Sequence, residues 1–264
     1  MDTDPRRLVY LDGAFLPPTE ARLSPDDRGF LFADGVYEAV RAYGGRLFGL
    51  DAHLERLARS LAALRIGGVD GAAVREVLQR LVRENAVTDG TCYLQVTRGV
   101  APRAHPFPPA GTPPTVYAFA VPLRADREKW ARGVAVTLVP DLRWARCDVK
   151  TTALTANVLA AQAAVESGVE EAVFVRDGVV TEGAHTNVAA VFDGVLWTHP
   201  EGPYILPGVT RRYVLGLCER LGLPYVLRPF RADDLARANE VMLLSTSSEV
   251  LPVVRVDDRA IGDG

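Results

Sequence analysis

Lysine is almost missing from this chain. Of 30 Lys and Arg residues in 264, only Lys129 and Lys150 are lysines. Arginine has taken over wherever a plain positive charge suffices, so a surviving lysine is a candidate for a task that needs an amine. Arginine stays protonated, whereas lysine can lose its proton and condense with a carbonyl. Cysteine is nearly as sparse. Cys92, Cys147 and Cys218 lack the paired spacing of zinc sites or redox motifs and read as buried free thiols. His53, His105, His185 and His199 are scattered, and no metal site is expected. No apolar run approaches the roughly 20 residues of a spanning helix. The first residues, MDTDPRRLVYLDG, have no signal-peptide core, so a cytoplasmic location is expected. A net charge of −3 offers no general attraction to nucleic acid or to an anionic membrane. The expected ligand is therefore small and held by a local site. Glycine-rich fingerprints of dinucleotide sites or P-loops are missing too.

What is present is an alternation of short strands and helices. LVYLDGAFL and GVYEAVRAYGGRLFGL alternate apolar and polar residues, and the Gly44-Gly45 break makes the second a hairpin. Asp51 is expected to cap a helix whose Leu54, Leu57, Leu61 and Leu64 recur at three and four. A second helix, about Ala72 to Glu84, leads into the strand TCYLQVTRG, followed by the proline-rich loop APRAHPFPPAGTPP and the strand TVYAFAVPL. Long loops in compact domains are often functional. The charged stretch RADREKWARG reads as a linker, because GVAVTLVP starts a strand afresh after it. The expected division is an N-terminal domain over 1–123, a linker over 124–133 and a C-terminal domain over 134–264. The second half reads as a helix from about Ala156 to Ser167, hairpins at Asp177-Gly178 and Asp193-Gly194, and a helix from about Val209 to Leu221. It ends in the strands PYVLRPF, EVMLLSTSSE and LPVVRVDD. Asp-Gly hairpins imply antiparallel pairing, so an α+β class is expected over a doubly wound parallel sheet.

Four features carry potential chemistry. Lys150 stands where a strand-like run gives way to a helical pattern, and its neighbours Val149, Ala153 and Leu154 would disfavour the ammonium form and depress its pKa. A surface lysine is the competing reading. Glu182, in VVTEGAHTN, sits at a strand exit. There a carboxylate is ordinarily just solvated, but one facing a pyridine nitrogen would keep that nitrogen protonated and make the ring an electron sink. Pro207-Gly208 opens a helix at Val209-Thr210, whose first N–H groups and the Thr210 hydroxyl suit a phosphate or a plain helix cap. Ser245-Thr246-Ser247-Ser248 offers further hydroxyl donors.

Taken in order, DRGFLFADGVYEAVRAYGG, HLERL, YLQVTRGVAPRAHPFP, DLRWARCDVK, VTEG, NVAAVFDGVLWTHP, ILPGVTR and STSSEVLPV resemble the fold-type IV, or class IV, aminotransferases, most closely their D-amino acid branch. The resemblance spans nearly the whole chain. It implies a small N-terminal α/β domain, a larger and mostly antiparallel C-terminal β domain with helices, and pyridoxal 5'-phosphate as cofactor. By that resemblance Lys150 is the Schiff-base lysine, Glu182 faces the pyridine nitrogen and Arg56 grips the phosphate. Val209, Thr210 and Thr246 add phosphate donors, and Leu206 packs on the ring. Tyr37 lies near the substrate carboxylate, which Arg103 and His105 bind, Arg being shaped for a two-bond grip.

Two departures stand out. Ala184-His185-Thr186 replaces serines that help bind the phosphate in the D-amino acid branch, and the chain stops at AIGDG where relatives commonly continue. The implied reaction is a ping-pong exchange of an amino group between a D-amino acid, of D-alanine or D-glutamate type, and a 2-oxo acid such as 2-oxoglutarate or pyruvate. A homodimer is implied, because the family builds each site at a subunit interface. The alternatives are a branched-chain L-aminotransferase, an (R)-amine transaminase, an aminodeoxychorismate lyase or a non-catalytic carrier of the cofactor. Arg103-Ala104-His105 argues against the L-specific and lyase readings, and Lys150 with Glu182 against the carrier.

Overall fold

The structure, a computed structural model, describes residues 7–262, so the N-terminal segment Met1–Arg6 and the chain end at Asp263-Gly264 lie outside it. The chain divides into two compact units. The first runs to Arg124 and takes in Val149–Ala153, and the second comprises Ala125–Asp148 and the chain from Leu154 onward.

In the first unit, strands β1 (Val9–Leu11) and β2 (Ala14–Leu16) precede the short helix α1 (Arg28–Phe32). The hairpin of β3 (Gly35–Tyr43) and β4 (Arg46–Leu47), helices α2 (Leu50–Leu64) and α3 (Gly71–Glu84), and strands β5 (Gly90–Thr97) and β6 (Thr115–Pro122) follow. The strands form one antiparallel sheet in the order β2-β1-β6-β5-β3-β4. Alternation assigns its faces. Val36, Val40, Cys92, Leu94, Val96, Ala118 and Ala120 pack with Leu57 and Leu61 of α2 and Leu78 and Leu81 of α3 in one apolar core. The opposite face carries a row of stacked rings, Tyr37 on Tyr93 at 5.7 Å and Tyr93 on Phe119 at 5.1 Å.

Helix α2 departs from expectation at its start. The chain leaves β4 through a left-handed turn at Gly49 (φ 61°), a conformation that glycine adopts without Cβ strain, so Gly49 and not Asp51 is the N-cap. Asp51 lies in the first turn and pairs with Arg75 of α3 instead.

In the second unit the charged stretch after Arg124 holds a helix, α4 (Arg127–Arg132), capped by Asp126. It packs rather than hangs free, since Trp130 rests on the second core and its Nε1 donates to Ser248 O at 3.0 Å. Beyond it come β7 (Val134–Pro140), α5 (Thr155–Glu166), β8 (Glu171–Arg176), β9 (Val179–Gly183), β10 (Asn187–Phe192) and β11 (Val195–Thr198). Helix α6 (Val209–Leu221), β12 (Tyr225–Leu227), a 3₁₀ turn at Ala232–Arg237, and β13 (Glu240–Ser245), β14 (Glu249–Val256) and β15 (Arg259–Ala260) complete it.

Both Asp-Gly hairpins are as expected. Asp177, Gly178, Asp193 and Gly194 all have positive φ, the geometry of a type I′ turn. Most pairings are antiparallel, with parallel ones at β11–β12, β14–β7 and β7–β8. Strands β10-β13-β14-β7-β8-β9 close on themselves where Glu182 of β9 pairs with Asn187 of β10. The whole is an α+β fold. Among the described residues no helix is long and apolar enough to cross a membrane.

Leu78 is fully enclosed where α3 meets the first sheet. Truncating a leucine in such a core removes its transfer energy and leaves a cavity, so Leu78→Ala should lower stability by about 2–5 kcal/mol. A shift of the urea midpoint at unchanged slope is the expected result.

Candidate active site

Lys150 belongs to the short Val149–Ala153 segment that the first unit takes in. The segment is held along the start of β3: Tyr37 N donates to Lys150 O at 3.0 Å, Thr152 N to Gly35 O at 3.0 Å, and the Thr151 and Thr152 hydroxyls to carbonyls of Ala33 and Gly35. Lys150 N in turn donates to Ser60 Oγ of α2. Fixing the backbone on both sides leaves only the side chain to move, and its Nζ lies 4.1 Å from the centre of the Tyr37 ring. Among the described residues Lys150 has no carboxylate partner. The other lysine is committed, for Lys129 Nζ sits 2.8 Å from Glu170 at a half-exposed position.

Arg56 rises from the buried side of α2 toward β3. Glu38 meets it in a two-bond grip, Nε to Oε1 and Nη2 to Oε2, both 2.8 Å, while His53 Nδ1 lies 2.8 Å from Oε2. Burial alone would push the Glu38 carboxyl up, but Arg56 and then His53 outweigh it and hold the group down at about 2. Burial also lowers the His53 pKa, against the pull of Glu38. The grip fixes the plane of the guanidinium.

Arg103 and His105 come together. Both are exposed, and both meet one ring: the Arg103 guanidinium lies 5.1 Å and the His105 ring 5.5 Å from the Phe32 centroid.

In the second unit Glu182 is buried and fully engaged. Its Oε2 accepts from Asn187 Nδ2 at 3.0 Å and from Leu206 N at 2.9 Å, while Oε1 accepts from Arg143 Nη1. Arg143 is itself held by Asp141, Nε to Oδ1 and Nη2 to Oδ2, both 2.9 Å. Burial raises the Asp141 carboxyl, yet hydrogen bonds from Arg143 and Arg176 bring it down to about 2. Asn187 also donates to Leu206 O at 2.9 Å, so one amide ties Glu182 to the segment that enters α6. A Cβ at Gly208 would come within 1.9 Å of Asn187 Oδ1, which is why glycine stands at that entry. Gly208 is the N-cap of α6 and brings no side chain to its amides. The Val209 and Thr210 N–H groups therefore lie ahead of any intrahelical acceptor. Thr246 stands in the turn between β13 and β14, where Ser245 Oγ accepts from Ser248 N at 3.0 Å. His185 points its Nδ1 at buried Glu171, 3.1 Å away, with its own side chain 53% exposed.

A family model described as amino-transferase class IV matches residues 35–256. The chain belongs to this family. It is 40% identical to the D-alanine aminotransferase of Staphylococcus haemolyticus over 257 residues, covering 97% of this chain and 91% of that one. It is 42% identical to the D-alanine aminotransferase of Bacillus licheniformis over 257 residues, covering 97% and 90%. Its fold matches the PLP-bound form of a hypothetical aminotransferase from Mycobacterium tuberculosis with a TM-score of 0.86 at 24% identity, over 97% of this chain and 93% of that one.

Class IV aminotransferases use pyridoxal phosphate, and the groups in this chain have the chemistry to receive it. An uncapped helix start, the Thr210 and Thr246 hydroxyls, and the buried Thr186 Oγ1, which has no hydrogen-bond partner among the described residues, suit an anion. A buried carboxylate suits a protonated ring nitrogen, and an unpaired lysine suits an aldehyde. Sequence reasoning missed Glu38, His53, Asp141, Arg143 and Asn187. NVAAVFDG and DLRWARC were in view as motifs, but nothing in one sequence shows which carboxylate a given arginine or amide will meet.

The low pKa of Glu38 sets a pH dependence. A carboxyl depressed from 4.5 to about 2 stabilises the fold above its unfolded pKa, and that contribution is lost as pH falls from about 4.5 toward 2. Glu38→Gln should flatten this part of the acid limb in thermal unfolding. At pH 7 it should cost about 3–5 kcal/mol, because Arg56 loses its buried partner. Asp141 titrates across the same window in both proteins, so the difference between the two curves isolates Glu38.

Proposed function

We propose that this class IV aminotransferase exchanges amino groups between D-amino acids, D-alanine and D-glutamate first among them, and 2-oxo acids such as 2-oxoglutarate and pyruvate. The observation that carries this reading is the gathering of Arg103 and His105 on the Phe32 ring, in a chain matched over 97% of its length by D-alanine aminotransferases. When bound, pyridoxal 5'-phosphate supplies an aldehyde carbon for amine exchange and a ring that accepts the electron pair left at the substrate α-carbon.

The residues divide the rest of the work. Lys150 Nζ would hold the cofactor through its aldehyde and, as a free amine, would take the proton from the substrate α-carbon. Glu182 would meet the ring nitrogen and keep it protonated, its own charge held in place by Arg143 and Asn187. Arg56, the Val209 and Thr210 amides and the Thr210 and Thr246 hydroxyls hold the phosphate, and Leu206 packs on the ring. Arg103 and His105 clamp the α-carboxylate with Tyr37 beside them. The clamp decides which hydrogen of the α-carbon meets Lys150, and hence the hand of the substrate.

A second copy of this chain is the proposed partner. Helix α5 supports that reading: its buried side chains are only Ala160 and Ala164, while Val158, Leu159 and Val165 are 64%, 67% and 69% exposed. A cytoplasmic location accords with three buried free thiols.

Two experiments bear on this assignment. Borohydride reduction of the yellow protein followed by peptide mass analysis should find the pyridoxyl group on Lys150, and label on Lys129 instead would refute the assignment. Lys150→Ala should abolish turnover. Arg103→Ala should lower kcat/KM for D-alanine and D-glutamate about 30-fold or more, the loss of a charge-assisted pair within the site, while the protein stays yellow. Near-normal turnover of D-amino acids by that variant, or a preference of the wild type for L-amino acids, would favour a branched-chain type of site.

A further inference from the structure

The loop that carries Arg103 and His105 has almost no hydrogen bonds of its own. Pro102, Pro106, Pro108 and Pro109 have no N–H to donate. Among the described residues no backbone bond ties residues 102–108 to the rest of the first unit. The entry to the loop is secured, with Arg28 N bonded to Gly99 O at 3.0 Å and Ala101 N to Asp26 O at 3.3 Å. Past that point Arg28 supplies the hydrogen bonds to the backbone of the loop, while Arg65 and Arg98 lie over the Phe107 ring. Arg28 Nη1 donates to Ala104 O at 2.6 Å and Pro106 O at 3.4 Å, and Nη2 to His105 O at 3.4 Å.

The same guanidinium turns its Nε to Asp34 Oδ2 at 2.9 Å. Asp34 also accepts two bonds from Arg98, at 2.7 and 2.9 Å, and Arg98 reaches on to Leu64 O and Arg65 O at the end of α2, at 2.7 and 3.0 Å. Arg98 further lies 3.8 Å over the ring of Phe107, in the same loop. One carboxylate thus joins the end of α2 to the loop. Burial would raise the Asp34 carboxyl, but Arg98 and Arg28 outweigh it and hold the group below the ordinary range.

We propose that Asp34 is a positioning residue for substrate recognition. It fixes the Arg28 fork across the carbonyls of residues 104–106 and thereby sets where Arg103 and His105 stand. Lysine at position 28 could meet Asp34 or a carbonyl, but a point charge cannot span Asp34 and three carbonyls at once. The proposal rests on the reading that Arg103 and His105 grip the α-carboxylate.

The test uses holoenzyme carrying Asp34→Asn or Arg28→Lys, the latter keeping the charge beside Asp34 should the former fail to fold. Hydrogen exchange of the 99–109 peptide should accelerate in both. The kcat/KM for D-alanine and for 2-oxoglutarate should fall about 10- to 100-fold, carried mainly by KM, as expected for a misplaced binding group. The cofactor dissociation constant, read by equilibrium titration, should not move. Unchanged exchange in the loop would overturn the proposal whatever the kinetics. Faster exchange with unchanged KM, in a protein whose Arg103→Ala variant does raise KM, would overturn it while leaving the carboxylate reading intact. If Arg103→Ala is also silent, the carboxylate reading fails and the proposal falls with it.

Discussion

Glu38, Asp34 and Asp141 each sit where water is largely excluded, and each is met by an arginine brought from another stretch of the chain. A carboxylate removed from water without a partner would take up a proton or unfold its surroundings. Here each is held below its ordinary pKa by guanidinium groups that outweigh the effect of burial. The placement of the expected functional side chains follows from these pairs. Glu38 orients Arg56, Asp141 orients Arg143 against Glu182, and Asp34 orients Arg28 beneath the loop of Arg103 and His105.

The scarcity of lysine acquires a structural meaning in that light. Arg28, Arg56, Arg98 and Arg143 each meet two or more acceptors in a fixed plane, which an ammonium on a flexible stem cannot do. Of the two lysines, one is spent on a surface ion pair. The other lies against a tyrosine ring, with no carboxylate partner among the described residues.

The second unit gathers its groups through backbone closure. The pairing of Glu182 with Asn187 that closes the ring of strands also sets the Asn187 amide between Glu182 and Leu206. The carboxylate, the residue expected against the cofactor ring and the start of α6 are held in register by one side chain. Gly208 is required there by the space that Asn187 occupies. A strand pairing has become a positioning device for chemistry.

Much of this was legible in order along the chain. Period-two and period-three-to-four patterns marked most strands and helices because burial of one face imposes them. The Asp-Gly turns announced their hairpins because few residues tolerate two positive φ angles in succession. Lys150, Glu182 and the α6 entry were visible as residue types with the right neighbours, and the order of motifs named the family. Local reading failed where a distant partner decides the outcome. Asp51 looks like a cap until Gly49 turns the chain ahead of it. The helix in the charged run after Arg124 shows itself only where Trp130 packs on an apolar core, and nothing in the sequence announces that His185 will meet Glu171. The residues that a sequence names are those whose chemistry is intrinsic. Which carboxylate meets which arginine is decided by pairs such as Arg98 and Asp34, 64 positions apart, which only the packed structure brings within 3 Å.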